Sequence, residues 1–192
     1  MIDVFLSASI PLPGRDKRYY SSRNVIAIRE AIKSLVEIVL PSGRITCGGH
    51  PTITPLIAFF VKQSGFERNR LTVFQSEFFE GEFPAENSLL QDMRIVRGRP
   101  DRLSSLLAMR EEMIQSRRFD AGVFIGGMEG VEAEARLFAE LQPRARILPV
   151  ASSGGAAANI FEGGQFQDDL RTDLTYHTLF RRYLLPLRGR LT

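Results

Sequence analysis

The sequence predicts an α/β protein in which a doubly wound parallel sheet carries helices on both faces. Short runs rich in β-branched residues alternate along the chain with longer segments whose apolar residues recur at helical spacing. The run Ala121–Ile125 is apolar at nearly every position, as in a strand covered on both sides. No internal repeat, linker or low-complexity tract interrupts the chain, so residues 1–192 are interpreted as a single domain.

The strands are predicted from short apolar runs bounded by glycine, proline or polar residues. Each run is too short for a typical helix, and most contain valine or isoleucine. The predicted strands are Val4–Ser9, Arg44–Cys47, Leu71–Gln75, Met93–Val96, Ala121–Ile125 and Arg146–Val150.

The helices are predicted where apolar residues recur every three to four positions after a capping residue. Asn24 or Ser22 is expected to cap the first helix, and Thr54 the second, with Pro55 at its first position. Residues 10–22 and the acidic, aromatic residues 76–90 are predicted to be loops, the second a lid. The predicted helices are Val25–Leu40, Thr54 to about Gly65, Asp101 to about Arg118, Val131–Leu141, a short one after SSGGAAA, and Thr175–Leu185.

The composition argues against several classes of protein. The single cysteine, Cys47, excludes an internal disulfide framework, and with only two histidines no metal site is predicted. No apolar run reaches the roughly 18–20 residues that span a bilayer, and the N-terminus lacks the features of a signal peptide, so a cytoplasmic location is predicted. The net charge of +3 comes from scattered arginines, so neither a nucleic acid nor a membrane is the expected partner.

Glycine and serine residues follow several of the predicted strands. In an open α/β sheet, ligands bind at the carboxyl ends of the strands, and a helix N-terminus offers free N–H groups to a phosphate. We therefore expect a small-molecule ligand that carries phosphate, with no further cofactor, at these loops. The candidate ligand-binding residues are Ser7, Ser9, Gly48, Gly49, His50, Gly126, Gly127, Met128, Glu129, Gly130, Ser153, Gly154 and Gly155.

Common nucleotide and hydrolase motifs do not fit the chain. There is no GK[ST] step for a Walker loop, and the first strand ends in SASIP rather than GxGxxG. No nucleophile elbow accompanies the two histidines. His50 lies in a glycine loop, whereas His177 is interpreted as a packing or interface residue.

The segment Leu103–Ala158 resembles the Lonely Guy (LOG) nucleotide phosphoribohydrolases and the wider SLOG superfamily. Their pattern is a helix with M..RK..M, then a strand, then PGGxGTxxE. Here Met109-Arg110-Glu111-Glu112-Met113 precedes a predicted strand, and Gly130 to Glu134 keeps the four-residue step. The resemblance implies a Rossmann-like sheet of the LOG/SLOG type.

Four departures from the family pattern fall on groups that handle phosphate and ribose. Glu129 is inserted before Gly130, Ile125 replaces a proline, and Val131 replaces a threonine whose hydroxyl binds phosphate. The family's Arg-Lys pair is Arg110-Glu111. With these changes the chain resembles the non-enzymatic SLOG clusters that are linked to prokaryotic nucleotide signalling and immunity.

Two functions follow from the resemblance and remain alternatives. The first is sensing of a nucleotide or NAD-derived ligand, such as an ADP-ribose-type or cyclic nucleotide. The second is N-glycosidic hydrolysis of a nucleoside 5′-monophosphate, with Glu134 and Arg110 as catalytic residues. A carboxylate near the sugar carbon would then stabilise the oxocarbenium ion.

The C-terminal segment YHTLFRRYLLPL carries an apolar stripe flanked by arginines. Family members are commonly dimers or higher oligomers, so a homodimer or higher homo-oligomer is predicted. The alternative is that the stripe packs on the sheet of its own chain.

Overall fold

The computed structural model describes residues 1–14, 16–65 and 68–185, and it contains one parallel sheet of six strands. Every neighbouring pair is parallel, and the spatial order is β4-β3-β2-β1-β5-β6. The predicted fold class is therefore confirmed. The strands are β1 (Ile2–Ser9), β2 (Gly43–Gly48), β3 (Leu71–Ser76), β4 (Asp92–Val96), β5 (Ala121–Gly126) and β6 (Arg146–Val150).

Eight α-helices lie within the described residues. They are α1 (Lys17–Tyr20), α2 (Val25–Val39), α3 (Thr54–Ser64), α4 (Arg102–Gln115), α5 (Glu129–Leu141), α6 (Gly155–Glu162), α7 (Asp169–Thr172) and α8 (Tyr176–Leu184). The 76–90 segment, predicted as a loop, forms two 3-10 helices over Glu77–Glu82 and Ala85–Leu89.

Capping side chains explain where several of the helices begin. Asn24 caps α2, because its side chain accepts a hydrogen bond from the N–H of Ala27. Asp101 caps α4 in the same way through Ser104. The expected cap of α3 is wrong by one residue: Ile53 is the N-cap, and Thr54 Oγ1 instead accepts from the backbone N–H of His50 at 2.9 Å.

The two faces of the sheet bury separate apolar clusters. On one face, side chains of α2, α3 and α8 pack against Val4, Leu6 and Val123. On the other, Phe5 stacks on Phe138 of α5 with ring centroids 5.1 Å apart. Helices on both faces explain why the central strands are apolar at almost every position.

The apolar stripe of α8 is used inside the chain. Leu179, Phe180 and Leu184 are buried in the same cluster as α2. Pro186 and Leu187, the last two residues of the sequence stripe, lie outside the described residues. The described part of this helix therefore packs on its own chain, which is the alternative to an oligomer contact.

Ion pairs hold the amino-terminal edge of the sheet. Asp3 of β1 accepts from Arg44 Nε at 2.7 Å and Arg44 Nη2 at 2.9 Å, and from Arg117 Nη1 at 3.1 Å. Burial raises the pKa of Asp3, but the hydrogen bonds from Arg44 and Arg117 outweigh it and leave the pKa lowered. Because ion pairs between protein side chains occupy the amino-terminal ends of the strands, we expect a ligand at their carboxyl ends.

Candidate functional site

The strand order places the topological switch point of the sheet, where folds of this class have a crevice, between β1 and β5. Successive strands step from β1 to β4 in one direction, and the chain then crosses to β5 on the other side of β1. Ligands in open α/β sheets bind at such a switch point, outside the carboxyl ends of the strands. Ser9 of β1 and Gly126 of β5 are register partners at this position.

Three predicted residues meet at this crevice. Ser7 Oγ donates a hydrogen bond of 2.6 Å to Glu134 Oε2, and Arg110 Nε donates one of 3.2 Å to Glu134 Oε1. The side chains of Arg110 and Glu134 are 18% and 15% exposed. β1, α4 and α5 each contribute one member, so the sheet and both helices fix the carboxylate.

Gly130 makes room for this arrangement. It lies one helical turn before Glu134, so both residues face α4. A Cβ added at Gly130 would lie 3.0 Å from Arg110 Nη2. The four-residue step from Gly130 to Glu134 therefore has a physical reason: the guanidinium lies against the first turn of α5 and reaches the carboxylate.

The glycine pair after β5 shapes the backbone. Gly126 and Gly127 have φ values of 58° and 89°, a region that favours glycine. Their N–H groups donate to Ser153 Oγ at 2.8 Å and to the Ser9 carbonyl at 2.7 Å. Both donors are thus used within the chain.

The N-terminus of α5 is the element of this loop that faces outward. Met128 is its N-cap and supplies no side-chain cap hydrogen bond, and the first turn carries the exposed Glu129. The Val131 N–H already donates to the Met128 carbonyl at 2.9 Å, so attraction to an anion comes from the positive end of the helix dipole. Val131, at the position of the family's threonine, is buried and fills the space beside Gly127, so it offers no hydroxyl.

The polar groups of the loop after β6 form hydrogen bonds within the chain. Ser153 is fully buried, and its Oγ donates to the Val150 carbonyl at 2.5 Å. Gly155 N–H donates to Ser22 Oγ at 3.1 Å, and Asn24 N–H donates to the Ser153 carbonyl at 3.1 Å. Ser153, Gly154 and Gly155 therefore support the glycine pair rather than facing the crevice.

Gly48 at the end of β2 and Gly49 in the loop after it have different neighbours. Gly48 faces the side chains of Met109 and Met113 on α4. Gly49 lies under Gln75 at the end of β3, so closely that a Cβ at Gly49 would lie 2.0 Å from Gln75 Nε2. Within the described residues that Nε2 is buried and has no hydrogen-bond partner. No sequence pattern singled out Gln75, because it lies at the end of a predicted apolar strand.

His50 is held as a neutral donor. Its Nδ1 accepts from the backbone N–H of Thr52 at 3.2 Å, and an N–H can only donate. The ring proton therefore lies on Nε2. Burial lowers the pKa of His50, which keeps the imidazole uncharged near neutral pH.

Tyr19 is a buried polar residue that the sequence did not single out. Its hydroxyl accepts from Arg18 Nη2 at 2.7 Å and bonds with Glu132, and burial together with this carboxylate raises its pKa to about 12. Glu132 also accepts from Asn159 Nδ2 at 2.9 Å. The short helix α1 is thereby tied to α5 and α6. Asp16 is the residue that could have indicated α1 in the sequence, because its side chain caps this helix by accepting from the Arg18 N–H.

The predicted lid lies away from the switch point. Phe78 and Phe79 pack together with ring centroids 5.0 Å apart, and Phe78 contacts Gly98 after β4. This segment follows β3, which is separated from β1 by β2. The two rings are therefore placed at the β3–β4 side of the edge.

Two negative findings apply to residues 1–14, 16–65 and 68–185. No group of three or more histidine, cysteine, aspartate or glutamate residues there could hold a metal ion. No helix in the same ranges is long and apolar enough to cross a membrane.

Comparison with solved structures supports the fold. The chain is similar to the X-ray structure of TM1055, a Northeast Structural Genomics Consortium target, with a TM-score of 0.52 and 17% identity. The alignment covers 88% of this chain and 89% of TM1055. At this identity the likeness concerns the fold alone. No curated protein matches the chain.

The family model described as SLOG cluster3 matches residues 18–184. This range contains β2 to β6 and the helices that carry Arg110, Gly130 and Glu134. The chain therefore belongs to the SLOG cluster3 family.

Proposed function

We propose that this protein binds and senses a nucleotide or an NAD-derived ligand, such as an ADP-ribose-type or cyclic nucleotide, in a bacterial defence or signalling system. Membership of the SLOG cluster3 family supports a nucleotide-related function. The ligand lies at the carboxyl edge of β1 and β5, with its phosphate on the first turn of α5.

The observation that carries this proposal is the state of Glu134. Each of its oxygens already accepts one hydrogen bond, from Ser7 and from Arg110. A carboxylate has about four lone-pair sites, so about two remain for ribose hydroxyls. Glu134 is thus a fixed acceptor, suited to recognition of a sugar.

Catalysis by the same residues is the competing function. In hydrolysis of the base–ribose bond, Glu134 would stabilise the developing positive charge. Arg110 lies 3.2 Å from this carboxylate and partly neutralises it, which weakens that stabilisation. The replacement of the family's threonine by Val131 also removes a phosphate-binding hydroxyl. Both features favour binding over turnover.

The proposal is tested by incubating the purified protein with AMP, NAD and cyclic ADP-ribose while free base and nicotinamide are measured. Thermal unfolding is followed in parallel. A ligand at 100 Kd should add roughly 2.7 kcal/mol to the free energy of unfolding. We expect stabilisation by at least one ligand and no released base.

Glu134→Gln is the informative variant, because the amide keeps the shape but loses the charge and one acceptor. It should abolish ligand stabilisation. Glu112→Gln, at an exposed position of α4, is the matched control and should behave as the unmodified protein. Release of base that Glu134→Gln abolishes and Glu112→Gln preserves would establish the hydrolase instead.

A further inference from the structure

A second cavity opens at the same sheet edge, between the first turns of α2 and α3. Its volume is about 370 Å³, within the range of about 300–1,000 Å³ that is usual for small-molecule sites. Its floor comes from the loops after β1 and β2, and its walls from the two helices. The lining residues are Ile10, Val25, Arg29, Pro51, Thr52, Pro55, Leu56 and Phe59.

The chemistry of the lining suits a flat apolar ring. Only Arg29 and Thr52 are polar. The Thr52 hydroxyl accepts from the Ile10 N–H at 3.3 Å and contacts His50 Nδ1 at 2.9 Å, and one Arg29 nitrogen donates to Glu30, which leaves the other guanidinium donors for a ligand. The ring of Phe59 is 48% exposed beside Pro55. Stacking on an aromatic ring binds any nucleobase, because every base has a π-face.

The cavity shares its wall with the glycine loop after β5. Ile28 of α2 occupies the space beside Gly126: its Cδ1 lies 2.6 Å from the position of an added Cβ. Val25, one turn earlier on α2, lines the cavity. Ile10 of the floor directly follows Ser9, whose carbonyl accepts from Gly127. Ser9, which pairs with the glycine loop, and Ile10, which lines the cavity, are consecutive residues, so the loop and the cavity lie side by side at the carboxyl end of β1.

The chain covers the opposite side of the switch point. The Ser22 carbonyl fills the space beside Gly154, only 1.9 Å from an added Cβ. Ser22 Oγ and the Asn24 N–H hold the same loop through Gly155 and Ser153. A ligand seated on the first turn of α5 can extend toward β2 but meets protein toward β6.

We propose that the cavity between α2 and α3 binds the aromatic base of the ligand, and that the ligand class is a nucleotide with one base rather than a dinucleotide with two. This inference rests on the proposed function. The base lies against Phe59 with an acceptor edge toward Arg29, and the sugar leads back to the glycine loop. A second nucleoside has no seat on the β6 side.

Binding of ribose 5-phosphate, AMP, ADP-ribose and NAD, measured by calorimetry, tests the inference. We expect AMP or ADP-ribose to bind at least about tenfold more tightly than ribose 5-phosphate, since a stacked base adds affinity. NAD should bind no more tightly than ADP-ribose.

Two variants change the cavity without touching the glycine loop. Val25→Trp fills it, and Phe59→Ala removes the exposed ring. Each should bring the affinity for AMP and ADP-ribose to the level of ribose 5-phosphate, whose binding stays the same. Ile26→Trp is the control, because Ile26 is 76% exposed on the same helix and does not line the cavity.

The outcomes separate the two proposals. The cavity inference is overturned if Val25→Trp and Phe59→Ala leave nucleotide affinity unchanged, if they weaken ribose 5-phosphate equally, or if NAD binds far more tightly than ADP-ribose. If none of the four phosphorylated compounds binds, the proposed function fails. Adenosine then tests the cavity alone: shifts of the Val25 and Leu56 methyl resonances support it, and unchanged resonances overturn it.

Discussion

Glycine is required at single positions of this protein for two reasons: a positive φ, and too little space for a side chain. Gly65 ends α3 with φ of 66° and has no atom within 4 Å of an added Cβ. Gly154 has φ of 72° with ψ of −160°, a combination that only glycine populates readily, and also faces the Ser22 carbonyl. The first glycine is needed for conformation, the second for conformation and contact.

Substituting alanine for each of these two glycines should distinguish the cost of a strained φ from the cost of a steric clash. Gly65→Ala should lower the free energy of unfolding by about 1–2 kcal/mol, the usual strain of a left-handed residue. Gly154→Ala should lower it by about 4 kcal/mol or more, because backbone atoms must also move. Urea unfolding of both variants measures the difference. Equal losses would contradict the close approach of residue 22 to the β6 loop.

At the same scale, part of the candidate site could be predicted from the sequence. Ser7 was expected from its position near a strand end, and the family pattern indicated Arg110 and Glu134. Their mutual hydrogen bonds required the structure, because residues 7 and 134 become neighbours only through the β1–β5 pairing. Gln75 was missed for the same reason: its Nε2, which has no hydrogen-bond partner among the described residues, lies against Gly49 in the loop after β2.

Among the elements, the long periodic helices and the apolar strands were predicted to within a few residues. Short elements were not. α1, α7 and the 3-10 helices of residues 77–89 have too few residues for a periodic pattern to show. Tertiary contacts stabilise them, as when Tyr19 of α1 is buried against α5 and α6. The order of the strands in the sheet could not be predicted from the sequence either, because it depends on which connection crosses over β1.

The ion pairs at the amino-terminal edge join β1, β2 and the residues that follow α4, and they give a pH-dependent stability. The folded-state pKa of Asp3 is lowered, so its contribution is complete above the unfolded value of about 3.9 and is lost as pH falls through the folded value. Asp3→Asn should therefore destabilise the protein at pH 6 and reduce the loss of stability between pH 6 and pH 3.

Urea unfolding of both proteins at the two pH values measures this effect. Asp168→Asn is a suitable control, since Asp168 is exposed and pairs only locally with Arg171. If Asp3→Asn and the unmodified protein lose equal stability between pH 6 and pH 3, the ion pairs do not act as described.

At the scale of the whole molecule, the predicted oligomer requires a surface other than the described part of α8. The edge strand β4 exposes Met93 and Ile95, and neighbouring α4 exposes Leu103 and Leu107. An exposed apolar edge strand is a template for pairing with another chain. Asp92 and Arg94 also lie on one face of β4, so two antiparallel copies centred on Met93 would place opposite charges across from each other.

We therefore expect self-association through β4. Ile95→Lys should shift the protein toward the monomer in sedimentation-velocity experiments, because it places a charge in the apolar contact. Leu174→Lys, at another exposed apolar position, should leave the association state unchanged. A species of the same size in both variants would exclude the β4 edge as the contact.

The central position of β1 also affects the order in which the chain can fold during synthesis. β1 ends at residue 9, and its second neighbour, β5, is complete only at residue 126. At about 5–20 residues per second, the ribosome needs roughly 6–23 s to make the residues between them. For that time one side of β1 lacks its partner strand, and Ser7 lacks Glu134. The crevice is thus assembled late, when the last strands close the sheet around its first one.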